Sequence, residues 1–327
     1  MNVTAAPSAP SVLRRRRQRT RNELVVDVVV VVAVLAVLVI GLTTDRFVTV
    51  ANAKAIVTSA SLVGIAALGL TLIMIGGSAV SLAISPTVAA VGMVFLSAQS
   101  LGLVPALAMA IVFGALITGV QGAVVGYAAA NPVVLTIAAS FAIAGLAAGI
   151  TGGVSVSPSG LGYDRLNATP GGVPLSVFVL LLLTLAVEWT LRRTGFGRSL
   201  YLVGENRPAA QAAGLPVGRT TTVAWLGAGA LFAVTAAFTA AFNTSANVNL
   251  GGTLTFDAIA AVLAGGTPIS GGRGSALRTL AGAVLIAAVS DILLLRGYST
   301  GVQVLVKGLI VLLVVIVVHV LARGRHA

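Results

Sequence analysis

Cysteine is absent from the 327 residues, histidine occurs twice, and only 9% of the chain is charged. Without cysteine there is no disulfide framework, thiolate metal site or cysteine nucleophile. The histidines, His319 and His326, sit at the C-terminal end, which excludes a histidine-built metal centre or serine–histidine protease in the body of the chain. Lysine occurs only at 54 and 307, after Ala53 and Val306, so no G-x-x-x-x-G-K-[ST] phosphate loop exists. If ATP drives this chain, another subunit brings it. Soluble domains carry about 25% charged residues, and a globule this poor in charge would lack polar surface.

What is present is apolar. Hydrophobic residues make up 57% and mean hydropathy is +1.06. The apolar residues fall in blocks of about 17–25, the length that crosses a bilayer. Met1–Asn22 reads as a disordered basic tail, and Val25–Leu42 as an uncleaved first span. Further spans are expected at 53–76, 85–99, 103–127, 132–150, 173–191, 220–242, 256–266, 277–295 and 302–322. Those at 85–99 and 256–266 are short and rich in small or turn-forming residues.

The net charge of +12 is clustered. Arginines 14–17, 19 and 21 precede the first span, Arg192, Arg193, Arg198, Arg207 and Arg219 fill one central stretch, and Arg323 and Arg325 end the chain. All three clusters flank apolar spans, which is the positive-inside pattern rather than a nucleic-acid surface. Ten spans place both termini and the stretch 192–219 in the cytoplasm. The stretch 151–172 becomes an external loop, and the external cations reduce to Arg46, Lys54, Arg165 and Arg296. The expected organisation is thus a cytoplasmic tail at 1–22, an all-α polytopic membrane domain at 23–322 and a short cytoplasmic tail at 323–327.

Two segments interrupt the apolar pattern, Gly76–Pro86 and Gly265–Gly274. Non-helical backbone at membrane depth persists only where protein or a water-filled cavity satisfies it, and paired interruptions point to a transport pathway. Ser78, Ser81 and Thr267 are therefore pathway candidates, although an ordinary cytoplasmic turn suits 265–274 better. Asn243 and Asn247 offer hydrogen bonds to a hydroxylated solute, or simply belong to a solvated loop. Asp257 reads equally as the acid at a helix N-terminus and as a pathway residue. Glu188 is expected to pair at the surface with Arg192, and Asp27 with Arg21. Lys307 is expected to pair with Asp291. No acid lies convincingly deep in a span, as an ion-coupled carrier would require.

The stretch Gly195–Val217 reads GFGRSLYLVGENRPAAQAAGLPV. Pro208 suits the first turn of a short Ala-rich helix, which Gly214 and Pro216 end. Such a helix is poor as an independent fold and suits a groove on a partner. Its pattern G-R-S-L-Y-x-V-G-x-N-x-x-A-A-x-x-A-G, with DAIAAVLAGGTPISGGRGS downstream, resembles the inner-membrane permeases of bacterial ABC importers. The nearest branch is that of the ribose, xylose and autoinducer-2 importers, and the likeness runs over about residues 45–320.

The resemblance implies a type II importer permease in the bacterial inner membrane, with no bond chemistry or cofactor of its own. ATP and magnesium would be held by two ATP-binding subunits, and a second permease copy or related chain and an external solute-binding protein would complete the assembly. It further implies that Gly204, Glu205, Asn206, Ala209, Ala210, Ala213 and Gly214 form the element that docks into the ATPase. The expected solute is a monosaccharide or related polyol, with branched-chain amino acids or an ion-coupled carrier as alternatives. One departure stands out. Where the sugar branch has a G-I-D-L-S-V-G-like segment, residues 77–85 carry no acid, which leaves the solute and a heterodimeric assembly open.

Overall fold

A computed structural model describes residues 39, 41–44, 47–160 and 162–323. The basic tail, nearly all of the expected span Val25–Leu42, Asp27, Arg46 and the last four residues lie outside them. Among the described residues the chain is helical, and its one β feature is an isolated antiparallel bridge between Val156 and Ala246.

The helices are α1 (Val50–Ile75), α2 (Ile84–Ser97), α3 (Leu103–Tyr127), α4 (Pro132–Thr151), α5 (Leu175–Arg193), α6 (Gly195–Glu205), α7 (Arg207–Ala212), α8 (Val217–Asn243), α9 (Leu254–Ala264), α10 (Ala276–Leu295) and α11 (Thr300–Arg323). Each of nine expected spans has its helix, with ends displaced by a few residues. Among the described residues seven segments are long and apolar enough to cross a membrane: α1, α2 with its 3₁₀ extension to Leu101, α3, α4, α5, α8 and α10. The 11 residues of α9 reach only about 16 Å, roughly half of a bilayer core.

Local chemistry sets the helix starts. The Thr49 hydroxyl accepts from the Asn52 N–H at the head of α1, and Asn131 accepts from Val133 and Val134 N–H ahead of Pro132 in α4. These are the side chains that satisfy otherwise orphaned amides. Packing then depends on small residues. Along α3, Gly114, Gly119, Gly122 and Gly126 lie against Gly229, Leu226, Trp225 and Gly218 of α8. A Cβ on Gly114 would stand 2.8 Å from the Gly229 carbonyl oxygen, so the two backbones nearly touch.

α1 and α8 form the buried centre, with α3 and α10 beside them. Helix α4 is the opposite, because Thr136 is its single buried residue. The long α8 separates two ends of the molecule. At its start Val217 packs with Val203 and Ala210, and past its end Ala246 pairs with Val156 of the 151–172 loop. The stretch 192–219 and the 151–172 loop therefore occupy opposite ends, as the charge pattern requires.

Candidate functional site

Between α5 and α8 the chain builds a compact helical elbow. Thr194 ends α5 and starts α6, its hydroxyl accepting from the Gly197 N–H at 3.1 Å. Asn206 starts α7 in the same way, accepting from the Ala209 N–H at 3.0 Å. The helix stops at Gly214, whose φ of +77° is the left-handed conformation that glycine adopts most easily. Of the residues with an expected docking role, Glu205, Asn206, Ala209, Ala213 and Gly214 are exposed. Gly204 and Ala210 instead turn inward, Ala210 against Val203 and Val217.

Gly204 sits where three segments converge. A Cβ there would lie 1.8 Å from the Ile75 carbonyl oxygen and 2.7 Å from the Gly272 nitrogen. The Gly272 N–H donates to that same Ile75 oxygen at 2.9 Å, and a Cβ on Gly271 would meet the Gly77 Cα at 2.5 Å. The elbow is thus pressed, backbone to backbone, against the inner ends of both interrupted segments. Arg207 adds a fourth attachment, its guanidinium donating to the Val125 and Gly126 carbonyls at 3.0 and 2.6 Å. Those are orphaned acceptors at the C-terminus of α3, where a cation is favourable.

The first interruption runs from Gly76 through Ala83 and includes Ala79 at φ +51°. Helix α4 satisfies it. The Leu82 N–H donates to the Thr136 hydroxyl at 3.1 Å, and the Ser140 hydroxyl donates to the Leu82 carbonyl at 2.8 Å. Both peptide groups of one residue are therefore held by hydroxyls one helical turn apart.

Beyond the break, α2 and α9 meet at their N-termini. The Ser85 N–H donates to the Thr255 hydroxyl at 2.9 Å and the Thr255 N–H to the Ser85 hydroxyl at 3.0 Å, with the hydroxyls themselves 2.8 Å apart. Each half-helix caps the other. From this junction α2 runs toward the far loop, where Ser159 bonds Leu96 and Ser97. Helix α9 runs the other way, to Gly265 and the elbow.

Two acids of the bundle, Asp257 and Glu188, are paired with cations. Asp257, in the first turn of α9, accepts from Lys307 Nζ at 2.6 Å and from the Thr253 hydroxyl at 2.8 Å. The expected Lys307–Asp291 pair does not form, because α11 lays Lys307 against the start of α9. Asp291 accepts instead from the Asn52 side chain at 2.8 Å. Glu188 does pair with Arg192, but it is itself buried. It also accepts from the Ser275 hydroxyl and the Ala276 N–H.

The profile of the family described as branched-chain amino acid transport system / permease component matches residues 52–317. The chain belongs to this permease family. The ribose import permease protein RbsC of Escherichia coli strain K12 is 29% identical over 292 residues, covering 86% of this chain and 89% of that one. RbsC of Bacillus subtilis strain 168 is 30% identical over 239 residues, 66% of this chain and 74% of the relative. The autoinducer 2 import system permease protein LsrD of Photorhabdus luminescens is 27% identical over 290 residues, 86% of both. This permease is accordingly a transport subunit rather than an enzyme, a multi-pass protein of the inner membrane and a component of an ABC importer. Membership implies ATPase and solute-binding partners.

The permease does not bring its candidate pathway residues into one place. Ser78 and Ser81 are buried in the first break and Asp257 at the head of α9, while Thr267 is buried in the α9–α10 connection. Asn243 ends α8 and Asn247 lies in the loop beyond it, reaching the Ser155 hydroxyl at 3.3 Å. A cavity of about 710 Å³ between α2, α3 and α4 is lined almost wholly by apolar groups such as Met93, Phe113 and Ile143 and includes none of these candidates. Sequence reasoning missed Thr136 with Ser140, Ser85 with Thr255, and the inner role of Glu188. A Thr-x-x-x-Ser spacing on an otherwise apolar helix was the available signal for the first pair.

Proposed function

We propose that the permease carries a small polar solute, a monosaccharide or related polyol, inward across the membrane by alternating access driven by ATP. The observation that carries this reading is the elbow. Helix α7 commits Ala210 and the Arg207 guanidinium to its own chain and leaves Ala209, with Ala213 and Gly214 just past its end, exposed. That surface suits a groove on an ATP-binding subunit. Movement of the elbow reaches the membrane part through Gly204, Arg207 and Tyr201, whose hydroxyl donates to the Gly274 carbonyl. A change in nucleotide state shifts the conformational balance only through differential affinity for the two forms.

Two ATP-binding subunits, holding ATP and magnesium, would serve two permease chains, alike or related, with an external binding protein delivering solute. Ten spans with both termini in the cytoplasm agree with the arginine clusters. The tails at 1–22 and 323–327 and the docking stretch 192–219 then share the cytoplasmic side.

The sugar assignment is supported by relatives named for ribose and autoinducer 2 import. The family's own description supports the second reading, a branched-chain amino acid. Uptake of radiolabelled ribose into vesicles holding the full complex and its binding protein, competed with unlabelled ribose or leucine, separates them. Loss of signal with excess ribose alone supports the sugar reading. Loss with leucine, and direct uptake of labelled leucine, would replace it.

A further inference from the structure

Helix α10 begins without a cap of its own. Ser275 occupies the capping position, yet its hydroxyl makes no bond to the helix it precedes. The hydroxyl donates to Glu188 of α5 at 3.1 Å, and Glu188 Oε2 accepts the first helical N–H, that of Ala276, at 2.7 Å. A carboxylate 88 residues away therefore does the work of the N-cap, where negative charge is favoured. One residue earlier, the Gly274 carbonyl accepts from the Tyr201 hydroxyl of α6 at 2.8 Å. Burial and the nearby Glu188 charge push the Tyr201 phenol above its ordinary range, so it stays a donor.

The gripping side is stiff. A Cβ on Gly197 would fall 2.2 Å from the Leu191 carbonyl oxygen, so α5 and α6 are locked at the elbow. The gripped side is stiff too. A Cβ on Gly282 of α10 would fall 2.0 Å from the Ala261 carbonyl oxygen of α9, and one on Gly265 would fall 2.6 Å from the Arg278 carbonyl oxygen. Helices α9 and α10 thus move as one body, and that body carries the Thr255–Ser85 junction and Asp257.

We infer that Glu188, supported by Tyr201, is the positioning joint that makes α10 and the half-helix α9 follow the docking elbow. The inference rests on the importer reading above. It concerns residues outside the docking face, both bonded to other parts of the same chain.

The test uses the absence of cysteine. Spin labels at Leu202→Cys on α6 and Leu277→Cys on α10, both exposed positions, are placed in the chain, which is then reconstituted with its ATPase subunits. The distance between them is measured without nucleotide and after trapping with ATP, magnesium and vanadate. With labelled chains diluted in unlabelled wild-type chains, so that only the distance within one chain is read, one distance is expected in both states. Glu188→Ala is expected to add a second distance population on trapping while ATP turnover stays within twofold. Glu188→Gln, which keeps an acceptor for the Ala276 N–H, is expected to restore the single distance.

If Glu188→Ala fails to assemble, Tyr201→Phe decides, since it deletes only the hydroxyl on Gly274 and is expected to broaden the trapped distribution. A single unchanged distance in every assembled variant would overturn the joint. Failure of the wild-type chain to retain any ATPase subunit would be a separate result. It would overturn the importer reading, and the joint with it.

Discussion

Among the described glycines, Gly204 has the least room for a side chain. With the Ile75 carbonyl oxygen 1.8 Å from where a Cβ would sit, even a methyl group must force backbone apart, and overpacking of this kind costs about 1–3 kcal/mol. Gly204→Ala is therefore expected to lower the thermal midpoint of the detergent-solubilised protein and to reduce uptake at least tenfold. Gly195→Ala, with nothing within 4 Å, is expected to change neither. The Asp257–Lys307 pair makes a second claim at this scale. Removing one partner leaves a buried charge alone, a loss of about 3–5 kcal/mol. Lys307→Met should thus cut stability and membrane yield sharply. Lys307→Met with Asp257→Asn should recover more than half of the loss in a thermal melt, because no unpaired charge remains.

At the scale of the element, the spans were largely legible because a bilayer demands long apolar runs, and runs of that length are visible without any contact information. The shortness of α9 was legible for the same reason, as was the stop of α7 at Gly214. Contacts between distant elements were not. Ser85 and Thr255 are 170 positions apart, and neither carries a mark that says the two half-helices begin against each other. Lys307 was expected to choose Asp291 because the two lie on the last two spans, but the start of α9 brings Asp257 closer. Helix α4 gives the prediction for this scale. Its hydroxyls at Thr136 and Ser140 satisfy both peptide groups of Leu82, and each buried group left unmet costs about 1–3 kcal/mol. Replacing them by Val and Ala is expected to speed hydrogen exchange through residues 78–83 by tenfold or more. Amides within α8 should exchange as before, and equal exchange in the break would show that α4 does not hold it.

The whole molecule reads as two interrupted segments, joined at the heads of α2 and α9 and clamped at their other ends by one helical elbow. This arrangement explains why glycine recurs at Gly77, Gly204, Gly271 and Gly272, where three strands of backbone touch. On the proposed reading, the exposed face of α7 is where an ATP-binding partner's motion would enter a chain with no phosphate loop of its own. The central claim is that this elbow binds an ATPase. Its most direct test is mild-detergent purification of the tagged chain from its native membrane, with mass spectrometry of what co-elutes, for the wild type and for a variant lacking residues 208–213. The account predicts an ATP-binding subunit with the wild-type chain and its loss from the variant, while both remain folded. A wild-type chain that elutes without any ATPase, yet moves solute down an ion gradient in vesicles, would contradict it.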